Sequence, residues 1–406
     1  MRNEGHIAAM LDRQKKHISF HTPGHKRAGA DITELSYSDN LTDPSGAIRR
    51  AEEDTARILH ADRSYLLTDG STAGIYSMIY ALKAAGKVRL AVPAYCHASV
   101  KNACRVTGVQ AAEYATRRKN GIPLQPSAEE LADALQNADA LLMTSPDYYG
   151  FFAPLQAARA LCTAVNKPLL IDGAHGAHLH FTDMHAGFYA DMWVDGAHKS
   201  LPALTQGAVV SAKGAWAQLL GEAVRLFRTS SPSYPIMASV ERAVKYPRNE
   251  AIERAAEAFK RELCAVPNDD WSKLLIAFGE NCDLAQAYLE SKGVYPEFND
   301  GNYLMFYLSP CTKRAHLKKL AALLRKIPRG SVEDEAALTG ERGQTRTWLP
   351  LNEAVGRVCA SECGLFPPCV PLLRSGDRVT QRAAALLSKG GAFGLQNGMI
   401  CVYAEE

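Results

Sequence analysis

From residue 47 onward, short apolar runs alternate with helix-length amphipathic stretches, and this alternation narrows the possible folds more than any other feature. Residues 47–60 have helical periodicity, 65–68 read as a strand, 71–85 as a helix and 89–92 as a second strand. A helix at 97–107 and a strand at 109–114 follow, and apolar runs at 140–143, 168–171, 192–194 and 208–210 continue the series. Strands that are apolar along their whole length, with helices between them, predict an α/β fold. Its mostly parallel sheet would be covered by helices on both faces.

Outside that stretch the pattern changes. Residues 1–45 are polar and turn-rich, with Thr22-Pro23-Gly24-His25 and Asp43-Pro44-Ser45-Gly46, and are expected to form an arm. After residue 211 the reading is mainly helical, with helices at 213–222, 251–263 and 271–292, then a strand at 303–308 and a helix at 313–326. A strand at 399–403 ends the series. We expect a large domain over 46–270 and a smaller α+β domain over 271–406, with 329–346 as a surface loop. Lys+Arg 46 against Asp+Glu 43 is too balanced for a nucleic-acid or membrane-surface protein. No run reaches the roughly 18 apolar residues of a membrane span, and the start has no secretory apolar segment. Ten cysteines without a CxxC pair suit reduced thiols in the cytoplasm. Cys359, Cys363 and Cys369 are closely spaced but fit no common zinc pattern, so no metal is expected there.

Ligands of open α/β sheets sit beyond the carboxyl ends of the strands, and here those ends are chemically rich. The first strand runs into Asp69-Gly70-Ser71-Thr72-Ala73-Gly74, which opens a helix. Free N–H groups, small residues and two hydroxyls make an anion cradle, unless Ser71 or Thr72 simply caps the helix. Other strand ends carry Tyr95-Cys96-His97, Thr144-Ser145-Pro146-Asp147-Tyr148-Tyr149-Gly150, Asp172-Gly173-Ala174-His175 and Asp195-Gly196-Ala197-His198-Lys199. A strand-end aspartate followed one strand later by a lysine suits pyridoxal 5'-phosphate. That cofactor needs an amine for its Schiff base, a carboxylate at its pyridine nitrogen and a phosphate site. A competing reading makes His175, His178, His180, His185 and Asp183 metal ligands of a hydrolase. A third leaves the same histidines as ordinary buried polar groups.

The sequence resembles the pyridoxal-phosphate-dependent ornithine/lysine/arginine decarboxylase family, of aspartate-aminotransferase fold type I. Residues 20–26 are similar to its TPGHK motif, 31–35 to its D-[IL]-T-E-L, and 67–74 to its phosphate cradle. Residues 96–100 resemble the segment whose histidine stacks on the cofactor. Residues 172–178 resemble its DEAHGAH motif and 197–199 its S-x-H-K. Residues 353–357 and 366–373 match its closing motifs. Two positions depart: Gly173 stands for the usual Glu, and Ala197 for Ser or Thr.

The resemblance implies a seven-stranded-type sheet and a short form without the N-terminal wing of larger members. It implies decarboxylation of arginine, lysine or ornithine to the amine, as in polyamine synthesis. The catalytic residues would be Lys199, which carries the cofactor, Asp172 at its pyridine nitrogen, His97 on its ring and His198. Ser71, Thr72, Ala73, His175 and Ser231 complete the expected cofactor site. Ser231 would come from a neighbour, because residues 229–234 resemble a stretch that reaches the partner's active site in a homodimer. Other functions left open are an aminotransferase or lyase on the same fold, and a decarboxylase-like regulator with little turnover.

Overall fold

Seven strands carry the frame: β1 (Arg63–Leu67), β2 (Arg89–Pro93), β3 (Gln110–Tyr114), β6 (Ala140–Thr144), β7 (Leu169–Gly173), β8 (Met192–Asp195) and β9 (Ala208–Ala212). The short pair β4 (Arg118–Lys119) and β5 (Ile122–Pro123) lies between them in sequence. The structure is a computed structural model that describes residues 5–13, 17–26, 31–115, 117–332, 339–366 and 369–404. Parts of the expected arm (1–4, 14–16, 27–30), of the expected loop (333–338) and of the last motif (367 and 368) lie outside the described residues. Among the described residues the seven strands form one sheet in the order β1-β9-β8-β7-β6-β2-β3. Only β9 runs against its neighbours.

Alternation along each strand feeds two cores. Leu141 and Met143 pack on one face with Leu169, Ile171 and Trp193, while Ala140 and Leu142 pack on the other with Leu170, Met192 and Val194. Each large apolar side chain buried this way contributes roughly 1.5–3 kcal/mol. One face is covered by α3 (Gly70–Ala84), α4 (Ala98–Thr107) and α8 (Trp216–Phe227), the other by α2 (Ala47–Ile58), α5 (Ala128–Gln136), α6 (Leu155–Ala164) and α9 (Tyr234–Val244). Gly214, at φ +56°, makes the turn that delays α8 beyond the expected start at 213. Thr144 pairs with Asp172, and Asp172 with Val194, so three strand ends stand level at one rim.

The arm contains more structure than its turn signals suggested. Residues His6–Arg13 form α1, whose Ile7, Met10 and Leu11 join the main core. The fully buried Glu241 of α9 accepts hydrogen bonds from the backbone N–H groups of His6 (2.7 Å) and Ile7 (3.0 Å), satisfying donors a helix start leaves open. Eight residues of weak pattern gave too little periodicity to reveal it.

Beyond α9, α10 (Glu250–Glu262) shares its buried face with Leu308 and Leu317 rather than with the large sheet. The single helix expected at 271–292 is a strand and a helix instead: β10 (Lys273–Ala277) and α11 (Cys282–Ser291). Leu274-Leu275-Ile276 is a short apolar run, which periodicity cannot assign, and Gly279 breaks the chain at φ +53°. A Cβ there would lie 1.9 Å from the Ser331 carbonyl oxygen, so only glycine fits. Strand β10 pairs with β12 (Tyr303–Tyr307), which also pairs with β11 (Phe298–Asn299), and α12 (Arg314–Leu324) packs on this small sheet. No helix among the described residues is long and apolar enough to cross a membrane.

Candidate active site

A cavity of about 300 Å³ opens where β2, β6 and β7 end and α3 begins. Ser71, Thr72, His97, Asp172, His175, His198 and Lys199 all line it, joined by Tyr148, Thr144, Asp147, Thr205 and Gln206. Asp172 is buried at the end of β7, with Oδ1 accepting from the Ala174 N–H at 3.1 Å. Lys199 follows β8 on the one-turn helix α7 (Ala197–Ser200), and its Nζ lies 3.1 Å from His175 Nε2. His97 caps α4 through Nδ1, which accepts from the Ser99 N–H at 3.1 Å and so fixes the ring at the cavity wall.

Burial sets the electrostatics. It lowers the Lys199 ammonium below its usual range, with the nearby Asp172 carboxylate opposing. Burial holds His175 far below the ordinary imidazole value, and the positive charges of Lys199 and Lys273 add to it. His97 is lowered for the same reason, with Asp172 pulling the other way. His198 is also lowered by burial, although its Nδ1 donates to the Gly207 carbonyl at 2.9 Å. Burial at this site therefore disfavours positive charge on its imidazoles and on the Lys199 amine alike.

The start of α3 is built to receive an anion. Its cap residue is Asp69, which makes no side-chain bond to the helix, so neither Ser71 nor Thr72 serves as the simple cap considered above. Ser71 Oγ and Thr144 Oγ1 are buried without a hydrogen-bond partner among the described residues, in a wall where such atoms ordinarily find one. Gly196 closes the cradle tightly, since a Cβ there would come within 3.1 Å of Ser71 Oγ and 2.3 Å of the Ala174 carbonyl oxygen. An amine, a buried carboxylate and a helix start with buried hydroxyls around one cavity fit pyridoxal phosphate.

Several expectations change. Ala73 is buried in the first turn of α3 and does not line the cavity. Ser231, expected to serve a neighbour's site and not its own, is exposed and lies away from its own chain's cavity, with its N–H bound to Thr229 Oγ1 at 3.1 Å. The histidines of the metal reading do not converge. His178 Nε2 meets Asp270 at 2.9 Å, His185 Nε2 meets Asp195 at 3.2 Å, and His180 Nδ1 meets the Ala177 carbonyl at 2.8 Å. Each ring has its own partner, so the hydrolase reading has no centre to stand on. Gly173 has a packing reason as well: a Cβ would sit 2.9 Å from the Val194 carbonyl oxygen and 3.5 Å from the Asp195 carboxylate.

Sequence reading passed over three groups of residues. Thr144, Asp147 and Tyr148 stand at the end of β6 within a run already singled out, and only a role was missing. Asp147 accepts from the N–H groups of Tyr149 and Phe151 at 2.9 Å and from Gln125 at 2.8 Å, and burial pushes its carboxyl up to about 7. Thr205 and Gln206 reach the rim because β9 starts there. Tyr307 and Lys273, behind the cavity, belong to the distant small sheet and left no local signal.

The chain is 27% identical to the uncharacterized protein YaaO of Bacillus subtilis, over 96% of both chains. It is 24% identical to the arginine decarboxylase of Bacillus anthracis, over 96% of this chain and 93% of that one. Its fold matches the lysine decarboxylase LdcF of Francisella novicida with a TM-score of 0.74 at 17% identity, covering 98% of this chain and 80% of that chain. The family model described as the major domain of Orn/Lys/Arg decarboxylase matches residues 24–266, more than half of the chain. The fold is therefore type I, and this chain belongs to the Orn/Lys/Arg decarboxylase family of pyridoxal-phosphate-dependent enzymes.

Proposed function

We propose that this enzyme decarboxylates a basic amino acid, arginine, lysine or ornithine, to the corresponding amine. The observation that carries the reading is that Lys199 lines one cavity with Asp172 and with Ser71 and Thr72 at the start of α3, where the cap residue makes no side-chain bond. Bound pyridoxal phosphate supplies an electron sink for the pair left behind when the α-carboxylate departs as CO₂. The chain's own residues do the rest. Lys199 would hold the cofactor through its amine. Asp172 would favour a proton on the pyridine nitrogen, since a nearby carboxylate favours the charged form. Ser71, Thr72 and the N–H groups of α3 would hold the phosphate, and His97 and His175 wall the cavity. Lys199 and His198, which both line the cavity, are the candidates to return a proton to Cα.

The same proposal includes a two-fold dimer in which residues 229–234 of each copy reach the other's cavity. Ser231 is exposed and idle in its own chain, and Phe20 (94% exposed) and Leu226 (60%) are apolar side chains left in the open. Mixing Lys199→Ala protein with a variant damaged at Ser230 and Ser231 should then restore about a quarter of the wild-type sites. Failure after demonstrated subunit exchange rules out sharing. A cytoplasmic location agrees with ten unpaired cysteines. The test of function is CO₂ release from arginine, lysine and ornithine with the visible absorbance of the cofactor recorded alongside. One of the three should be turned over. An intact absorbance with no release from any of them overturns the substrate class.

A further inference from the structure

Behind the cavity a line of polar atoms leads away from Lys199. Its Nζ meets His175 Nε2 at 3.1 Å, and the opposite ring nitrogen, Nδ1, meets the Tyr307 hydroxyl at 2.9 Å. Tyr148 comes next, its ring tilted against that of Tyr307 at 5.9 Å between centroids and its hydroxyl interacting with the Tyr307 hydroxyl. The Tyr148 hydroxyl in turn donates to Glu297 Oε1 at 3.3 Å, and Glu297 is exposed to solvent. The line therefore starts at the Lys199 amine and ends at the exposed Glu297.

We propose that this line is the route by which Lys199 loses and regains its proton, with Tyr307 as the positioning residue that keeps His175 turned toward the amine. The inference rests on Lys199 carrying the cofactor, as set out above. The step balances without any change of oxidation state. Lys199 gives a proton to His175 Nε2 while His175 gives its Nδ1 proton to the Tyr307 oxygen. Tyr307 passes its own hydroxyl proton to Tyr148, and Tyr148 passes its own to the Glu297 carboxylate. One N–H bond breaks at Lys199, one O–H bond forms at Glu297, and His175, Tyr307 and Tyr148 end neutral as they began.

The surroundings favour passage over storage. His175 faces Lys199, Lys273, His97 and His198, so a full positive charge on its ring is opposed. Lys273 is itself buried, 4.1 Å from the centre of the Tyr307 ring and 3.4 Å from Asp270. Lys199 faces Asp172, Lys273, Glu297 and Cys369. The other route from Lys199 would cross the cavity, where the reaction itself takes place.

The test uses the apoprotein and its capture of added pyridoxal phosphate, followed by rapid-mixing absorbance across a pH series in water and heavy water. Capture needs a deprotonated Lys199, so it reports proton transfer without turnover. Tyr307→Phe keeps the ring over Lys273 and removes only the hydroxyl. It should slow capture about ten- to hundredfold while the final amount bound and the melting temperature stay unchanged. A proton inventory that curves in the wild type should become linear in the variant. In the loaded enzyme kcat should fall with KM nearly constant, and Tyr148→Phe should do the same to a smaller degree. Wild-type capture by Tyr307→Phe, or rate and amount falling together, overturns the relay. Capture surviving in Lys199→Ala instead overturns the reading on which it rests.

Discussion

At the rim of the large sheet, Ser71 and Thr144 hold buried hydroxyls with no partner among the described residues, and Lys199 Nζ lies against the His175 ring. One layer behind, at the seam with the small sheet, charges come paired. His178 and Lys273 both meet Asp270, which also accepts from the Ser272 N–H at 2.8 Å. Burial alone would raise the Asp270 carboxyl, yet the His178 and Lys273 charges outweigh it and hold it far below the usual range. The rim carries hydroxyls free to receive something that must arrive, whereas the seam pairs opposite charges between two sheets, even though His178 Nδ1 and Asp270 Oδ2 there also lack a hydrogen-bond partner among the described residues. The Asp172–His178 motif spans both regions: His175 faces the cavity and His178, three residues later, faces the seam.

The largest expected effect is at the rim. Lys199→Ala should abolish both the visible absorbance of bound cofactor and turnover, because the same amine serves both. An unchanged absorbance in that variant would put the cofactor on another lysine. Asp172→Asn should leave the fold intact and slow decarboxylation by several powers of ten, since each unit of pyridine pKa is worth about 1.4 kcal/mol. Normal rates would remove Asp172 from its role and leave the rim without its distinguishing carboxylate.

At the seam the loss should be stability, not chemistry. Asp270→Asn strands the buried Lys273 ammonium and should cost roughly 3–5 kcal/mol in chemical denaturation, as broken buried pairs do. A loss of under about 1 kcal/mol would show that the seam is no tighter than a surface ion pair, where that is the usual limit. The smallest effect tests a residue between the two regions. Asp147 has a folded pKa raised to about 7, so the folded protein holds a proton there that the unfolded chain has lost. The stability this contributes is full below about pH 4 and is lost as pH rises to about 7, at up to about 1.4 kcal/mol per unit. Asp147→Asn should flatten that slope in melting measurements between pH 5 and 7. An unaltered slope would mean that its backbone and Gln125 hydrogen bonds already keep it ionised.

Lys199, Asp172, His97 and the start of α3 were legible in the sequence because each follows directly from a strand end. A parallel sheet delivers its strand ends to one rim whatever the rest of the chain does. The seven strands were legible for a related reason: runs such as 140–143 and 168–171 are apolar on both faces and short. The same shortness misled at 271–292, where β10 read as the beginning of a helix. Helix α1 escaped because its buried face is only four residues wide and its partner, Glu241, lies more than two hundred residues away.

The sequence by itself determined which side chains reach the rim, since that depends on order along the chain and on local backbone geometry. Only the tertiary structure decided what those side chains do to one another. Five neighbouring titratable groups, His175, His178, His180, Asp183 and His185, read alike in sequence. Three-dimensional packing sent His175 to Lys199 and Tyr307, His178 to Asp270, and His185 to Asp195. The same packing brought Tyr307 from a different sheet to within 2.9 Å of His175. A hydrogen bond acts over about 3 Å, and no local pattern records which distant strand will supply the atom at that distance.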